Sequence, residues 1–302
     1  MDLKACRDGY GEALVELGKE NKNVVALTAD LSPSVKMDDF KAKFPDRFFD
    51  VGIAEQNLVT VASGLAHLGK IPFASSFGAF CPGRCWEQIR TTIAYNEANV
   101  KIVSTHCGLD VGEDGATHQV LEDIALMRTL PNMIVIVPCD FEQTKKATKA
   151  ISKIDNPCYM RMGRSKSFSL TNKNTPFKIG KSQLLKKGDD IAIIGCGPLL
   201  NEALDAAKMS SKSVRVINMH TIKPIDEEAI IKAAKECKKI ITIEDHQIDG
   251  GLGSAVCEVL ADKSRKKITR LGVNDQFGES ANHDDLFQKY KLTSKDILKY
   301  LK

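Results

Sequence analysis

Short apolar runs recur along the chain, separated by stretches with helical spacing. Val24 to Leu27, Phe48 to Val51, Pro72 to Ser75, Lys101 to Val103, Ile134 to Val137 and Pro157 to Met160 predict buried strands. Between them, Tyr10 to Glu20, Glu55 to Leu68, Trp86 to Glu97, Gln119 to Arg128 and Glu142 to Ile151 predict helices. This alternation predicts a parallel sheet with helices on both faces, and the crossovers are long enough for it. A polar stretch from Ser165 to Pro176 has no periodicity and reads as a linker. The alternation then restarts, with strands at Ile191 to Ile194, Val214 to Ile217 and Ile240 to Ile243. Helices are predicted at Leu199 to Met209, Glu227 to Cys237 and Leu252 to Leu260. The fold class is therefore α/β: two consecutive three-layer domains with mostly parallel sheets, residues 1–165 and 179–302, joined by a linker over 166–178.

Composition narrows the class of protein. Hydrophobic residues make up 43% of the 302, enough for sizeable cores, yet no apolar run reaches the length of a membrane span. The first residues are mixed in charge and lack the apolar segment of a secretory signal. A net charge of +4, with its lysines spread over the predicted helices, argues against nucleic acid as the main partner. Nine cysteines without a Cys-x-x-Cys pair fit a reducing cytoplasm better than a disulfide framework. Cys81, Cys85 and His106 fall short of a zinc ligand set, so no metal site is expected in this chain.

The segment richest in chemistry is Thr105 to Gln119. It carries His106, His118, three carboxylates and three glycines directly after a predicted strand, where open α/β sheets place their ligands. The same composition also suits a solvated Gly/Asp turn with two incidental histidines. Glu55 opens a predicted helix, where its charge suits the dipole; it could equally meet a ligand across the strand ends. Phe77 and Phe80, with Gly78 and Ala79 between them, could present a ring face to a planar heterocycle or simply pack in the core. Arg161 and Arg164 follow a predicted strand and suit phosphate oxygens or plain solvation. Gly195-Cys196-Gly197-Pro198 and Gly250-Gly251-Leu252-Gly253 lack dinucleotide spacing and read as tight connections.

Taken together, these segments resemble the C-terminal half of transketolase, a thiamine diphosphate enzyme. The resemblance runs through Thr28-Ala29-Asp30-Leu31-Ser32-Pro33-Ser34, Gly52 to Asn57, Thr105 to Gln119, His220-Thr221-Ile222-Lys223-Pro224 and Glu244-Asp245-His246. Gly-Glu-Asp-Gly-x-Thr-His-Gln after Thr-His is its most specific part. Deoxyxylulose-phosphate synthases and 2-oxoacid dehydrogenase beta subunits share the fold and a glutamate like Glu55, but are not expected to carry a histidine like His106. A non-catalytic scaffold of the same fold is the remaining alternative. One departure from the family pattern is Cys81-Pro82-Gly83-Arg84-Cys85-Trp86, which carries an extra residue and a Pro-Gly turn between the aromatics and the following helix.

The resemblance implies a pyrimidine-binding domain followed by a transketolase C-terminal domain. The half that holds the diphosphate and its magnesium or calcium ion, marked by Gly-Asp-Gly, is not in this sequence. The chain thus looks like one subunit of a split transketolase, with an N-terminal partner subunit, a two-plus-two heterotetramer, sugar phosphates as substrates and a cytoplasmic location. Glu55 is implied to hydrogen-bond the pyrimidine ring nitrogen and promote the tautomer that activates the thiazolium carbon. Burial would keep its carboxyl a donor against the pull of the helix N-terminus. Phe80, with Phe77, resembles the aromatic platform, and Asp30 a carboxylate lining the cofactor cleft. His106 and His118 resemble catalytic residues at the donor's two-carbon fragment and reacting hydroxyls. Asp114 resembles the carboxylate that bonds a sugar hydroxyl, and Arg7, Ser34 and Arg164 resemble phosphate anchors at the channel mouth. The implied reaction moves a two-carbon ketol unit from a ketose phosphate to an aldose phosphate.

Overall fold

A computed structural model describes residues 3–302. In chain order the first part contains β1 (Lys4–Ala5), α1 (Cys6–Glu20), β2 (Val24–Thr28), α2 (Asp38–Lys43), β3 (Phe48–Asp50), α3 (Glu55–His67), β4 (Ile71–Phe77) and α4 (Trp86–Gln88). There follow β5 (Lys101–Thr105), α5 (Asp123–Arg128), β6 (Ile134–Ile136), α6 (Phe141–Ile151), β7 (Cys158–Arg161) and β8 (Lys166–Ser167). The second part runs β9 (Gln183–Lys186), β10 (Ile191–Gly195), α7 (Leu200–Met209), β11 (Val214–Asn218), β12 (Thr221–Lys223), α8 (Glu227–Glu236), β13 (Lys239–Gln247), α9 (Leu252–Leu260), β14 (Ile268–Val273), α10 (His283–Lys289) and α11 (Ser294–Leu298).

The larger sheet has the order β12-β6-β7-β5-β4-β2-β3, parallel except for β12, and the smaller β14-β13-β10-β11-β9, parallel except for β9. Strands β2, β5, β7 and β10 are buried at every position because both sheet faces are covered by helices, which explains the apolar runs Val24 to Leu27 and Ile191 to Ile194. The α/β architecture expected from the sequence is what the chain adopts. The polar segment after β7 is not free chain. Its β8 pairs antiparallel with β1, and the Asp140 carboxylate that caps α6 at Gln143 also accepts the Leu170 N–H at 2.7 Å.

Helix α1 packs on α6 at close range because Gly9 leaves room: a Cβ there would lie 2.4 Å from the Phe141 carbonyl oxygen. The predicted helix over 119–128 begins only at Asp123. Gln119 is drawn away, its amide donating to the Gly112 and Glu279 carbonyls at 3.0 Å each. The predicted helix over 86–97 is α4 running into a π turn at Ile89–Ala94.

The two parts are bound into one body. β12 comes from the second part yet extends the sheet of the first, pairing with β6. One buried cluster includes Ile102 and Tyr159 together with Ile194, Ile222 and Ile240. Polar groups cross the same boundary. Arg161 Nε meets both carboxylate oxygens of Asp123, at 3.1 and 2.8 Å, and Arg161 Nη2 donates to the Asp245 carbonyl at 2.6 Å. Tyr159 donates its hydroxyl to Asp123 at 2.6 Å. All four residues are buried, and every charge among them has a hydrogen-bonded partner.

Candidate functional site

The site forms at the carboxyl ends of β2, β4, β5 and β7, where loops leave the sheet of the first part. Strand β3 ends in a turn through Gly52, whose φ of +72° a side chain would resist. Helix α3 starts directly after it, so Glu55 occupies the first turn and is only 5% exposed. Strand β4 ends at Phe77. Gly78 follows with no room for a Cβ, which would lie 2.5 Å from both Cys107 Sγ and Val120 Cγ1. That close approach presses the Phe77–Phe80 turn against the loop leaving β5.

This brings the aromatic and imidazole rings into one stack. Phe77 lies 3.8 Å from the His106 ring, nearly parallel, and 5.8 Å from Phe80. His118 meets Phe80 edge-on at 5.3 Å. Phe77 is buried between its neighbours, so Phe80, half-buried, is the ring with a face to offer. That face carries the Arg84 guanidinium, its carbon 4.1 Å from the ring centroid, and Arg84 Nη1 lies 3.3 Å from each oxygen of Glu55.

The loop from β5 is held from the far side by the second part of the chain. Asp245 accepts the Leu109 N–H at 2.9 Å and the Asp110 N–H at 3.4 Å. The Asp245 carboxylate comes so close that a Cβ on Gly108 would lie 2.0 Å from Oδ2, and Gly108 itself has a φ of +83°. On the same loop Asp110 pairs with His283 of α10 at 2.9 Å and accepts the Ser165 N–H at 2.9 Å. Burial opposes both shifts, but the pairing together with Asp245 and Asp284 raises the pKa of His283, and together with the Ser165 hydrogen bonds it lowers that of Asp110.

His106 is buried, with Nδ1 2.8 Å from Thr105 Oγ1 and Nε2 3.5 Å from Arg7 Nη1. A guanidinium has only donors, so Nε2 accepts and Nδ1 carries the proton. Burial, then the positive charges of Arg7 and Arg164, push the His106 pKa down to about 3, so its imidazole is neutral near pH 7. Arg7 also donates to the Ser34 carbonyl at 3.0 Å, so Ser34 is joined to it by backbone and not by its hydroxyl. Arg164 donates to the Val111 carbonyl at 2.9 Å and faces Glu113 at 3.4 Å.

The fold thus gathers Glu55, Phe77, Phe80, His106 and His118, with Arg7 and Ser34 in contact with that group. Arg164 lies near enough to His106 to bear on its charge. Asp114 and Asp30 are exposed; the Asp30 N–H donates to the Asp50 carboxylate at 2.9 Å, and neither side chain hydrogen-bonds the others among the described residues. Three residues were not anticipated. Arg84 lay within the extra Pro-Gly turn that marks the departure from the family pattern, a usable signal. Asp245 stood in a quoted motif without a role, and nothing in the sequence ties His283 to Asp110.

Glu55 gives the means to test the site for a thiamine cofactor. Among the described residues its buried carboxyl has no hydrogen-bond partner except Arg84, a side chain half out in solvent. A buried carboxyl beside an aromatic face covered only by a half-exposed arginine side chain suits a flat ring that carries nitrogen, so these residues fit the pyrimidine end. No cluster of three or more metal-ligating side chains occurs among the described residues.

Three buried histidines dictate an acid limit. His106 is pushed to about 3, and His220 and His246 to about 4, each first by burial. Between these values and about 6.5 the unfolded chain binds protons that the native chain refuses, so stability rises with pH across that window and falls on acidification. Glu244, raised by burial to about 7, and His283, raised by its pairing with Asp110, bind protons in the native chain and work the other way. Thermal melts from pH 7 to pH 4 should therefore show Tm falling below about pH 6.5 by less than three histidines alone would give. His220→Asn should flatten the slope; an unchanged slope would contradict the account.

Comparison with known proteins places these features in a family. Residues 3–168 match the transketolase pyrimidine-binding domain, and residues 180–297 the transketolase C-terminal domain. A protein of Methanocaldococcus jannaschii described as a transketolase C-terminal section is 48% identical over 302 residues, covering 98% of this chain and 95% of its own. A 6-deoxy-6-sulfo-D-fructose transketolase subunit of a Clostridium species is 38% identical, covering 97% of this chain and 92% of its own. Human transketolase is 37% identical over 90% of this chain, which corresponds to 45% of the human protein. A solved structure described as a split gene transketolase, inactive β4 tetramer, superposes with a TM-score of 0.92 at 46% identity, covering 98% of this chain and 97% of its own.

Proposed function

This chain belongs to the transketolase family, and from that premise we propose that it is the C-terminal subunit of a split, thiamine diphosphate-dependent transketolase. The observation that carries the reading is the buried Glu55 carboxyl beside the Phe80 face, with His106, His118 and Arg7 grouped around the same rings. When bound, thiamine diphosphate supplies the nucleophilic carbon that accepts the two-carbon unit. Glu55 holds a proton at the pyrimidine ring nitrogen, and Phe80, backed by Phe77, supports the ring. Asp30 lines the cleft. His106, neutral and fixed by Thr105 and Arg7, presents polar nitrogen to the ketol fragment without adding charge. His118 and Asp114 bond sugar hydroxyls, and Arg7, Ser34 and Arg164 receive the sugar phosphate.

The diphosphate and its magnesium or calcium ion are left to an N-terminal partner subunit. Full-length relatives support this division, since this chain corresponds to less than half of human transketolase. The solved relative's description as an inactive β4 tetramer supports self-association without activity, and with it a two-plus-two heterotetramer here. Nine free cysteines, eight of them buried, support work in the reducing cytoplasm. No helix among the described residues is long and apolar enough to cross a membrane.

The test is reconstitution. With thiamine diphosphate, magnesium, a ketose phosphate and an aldose phosphate, this chain alone should give no ketol transfer, and addition of a partner carrying the Gly-Asp-Gly half should restore it. Turnover by the isolated chain would overturn the split site. Product formation from pyruvate in place of the ketose phosphate would move the chain to another branch of the fold.

A further inference from the structure

We propose that Arg84 is a placeholder for the pyrimidine: in the subunit without cofactor its guanidinium occupies the space between Phe80 and Glu55, and cofactor capture begins by expelling it. The inference rests on the reading of Glu55 and Phe80 as cofactor contacts.

The guanidinium is a flat cation, and it uses the same two features that a nitrogen heterocycle would use. It lies over the Phe80 face at 4.1 Å and bridges both Glu55 oxygens at 3.3 Å. Two flat groups cannot share one ring face and one carboxyl at those distances. The arrangement also answers a need of the free subunit. Glu55 is 5% exposed, and a buried carboxyl without a partner is costly, a cost the Arg84 guanidinium offsets until a ligand arrives.

The hold is built to be released. Arg84 is 51% exposed, and its side chain makes no hydrogen bond except to Glu55 among the described residues. Its backbone stays anchored, with its N–H donating to the Phe80 carbonyl at 3.1 Å and its carbonyl accepting from Gln56 at 3.4 Å. Gly83 before it is exposed and uncrowded, its Cβ position meeting only the Gly78 carbonyl oxygen at 3.6 Å. The side chain can therefore swing into solvent while the turn keeps its place. The extra residue and Pro-Gly turn of this chain acquire a role: they carry an arginine to the pyrimidine position.

Expulsion lowers the apparent cofactor affinity by the fraction of time the site stands open. Titration of the two-subunit complex with thiamine diphosphate and magnesium by calorimetry should give about tenfold tighter binding for Arg84→Gln than for the native complex. The free Arg84→Gln chain should melt below the native chain, while the cofactor-loaded complexes should melt together; an arginine of purely structural value would lower both. Trp86, the only tryptophan, sits two residues on. Its emission should change on loading the native complex and change less in the variant. Equal or weaker cofactor binding by Arg84→Gln, in a complex that binds and turns over, overturns the placeholder alone. Failure of the native complex and the variant alike to bind the cofactor overturns the placeholder together with the function on which it rests.

Discussion

In the reconstituted complex, Glu55→Gln should lower ketol transfer by about 10²–10⁴-fold, the range lost when a positioned acid or base is removed. The amide keeps the size of the carboxyl and can still face Phe80 and Arg84, so the fold of the turn between β3 and α3 should survive. What it cannot do is give up or take back a proton at the ring nitrogen. Circular dichroism should therefore match the native chain, and the cofactor should still bind, while exchange of the thiazolium carbon proton followed by NMR should collapse with turnover. Near-native turnover would remove Glu55 from its proposed role. Loss of assembly would recast it as a contact to the partner subunit.

A second large effect is expected at Asp123. Its carboxylate is fully buried, bound by Arg161 Nε at 2.8 Å and by the Tyr159 hydroxyl at 2.6 Å. Asp123→Asn leaves the Arg161 guanidinium buried without its counter-charge, which costs about 3–5 kcal/mol where it has been measured in other proteins. That is a large share of the roughly 5–15 kcal/mol that holds a domain together. Denaturant unfolding should show the loss as a lowered midpoint, and the double change Asp123→Leu with Arg161→Met should recover much of it, because an apolar pair leaves no charge uncompensated. A single variant within about 1 kcal/mol of native stability would show the pair to be dispensable. Because Arg161 also donates to the Asp245 carbonyl, and the Asp245 carboxylate holds Leu109, the single variant should loosen the loop that carries His106.

The legible parts of this chain are those in which local pattern and burial coincide. Val24 to Leu27 and Ile191 to Ile194 read as strands because both faces of their sheets are covered, so each is apolar throughout. Edge and very short strands escaped: Gln183–Lys186 pairs at a sheet edge and Thr221–Lys223 is three residues long. Helix α10 also escaped, being short and mostly polar, although Asn282 caps it by accepting the Asp285 N–H. At the site, residue type and position after a strand end marked Glu55, the Phe77 and Phe80 pair, His106, His118 and the Arg161 and Arg164 pair as candidates, and the family resemblance chose Phe80 and Arg164 among them. Arg84 on the Phe80 face and His283 against Asp110 were not visible, because the first depends on how a turn folds back and the second joins residues far apart in the chain.

The sequence alone determined the alternation of strand and helix, the two-part organisation and the family motifs, because periodicity and turn chemistry act over a few residues. Only the tertiary structure decided that β12 crosses into the first sheet, that Asp245 and His283 grip the loop after β5 from the second part, and that Arg84 stands on the Phe80 face. Those outcomes depend on burial and on charges meeting across long stretches of chain. Packing, and not local preference, selects among such partners.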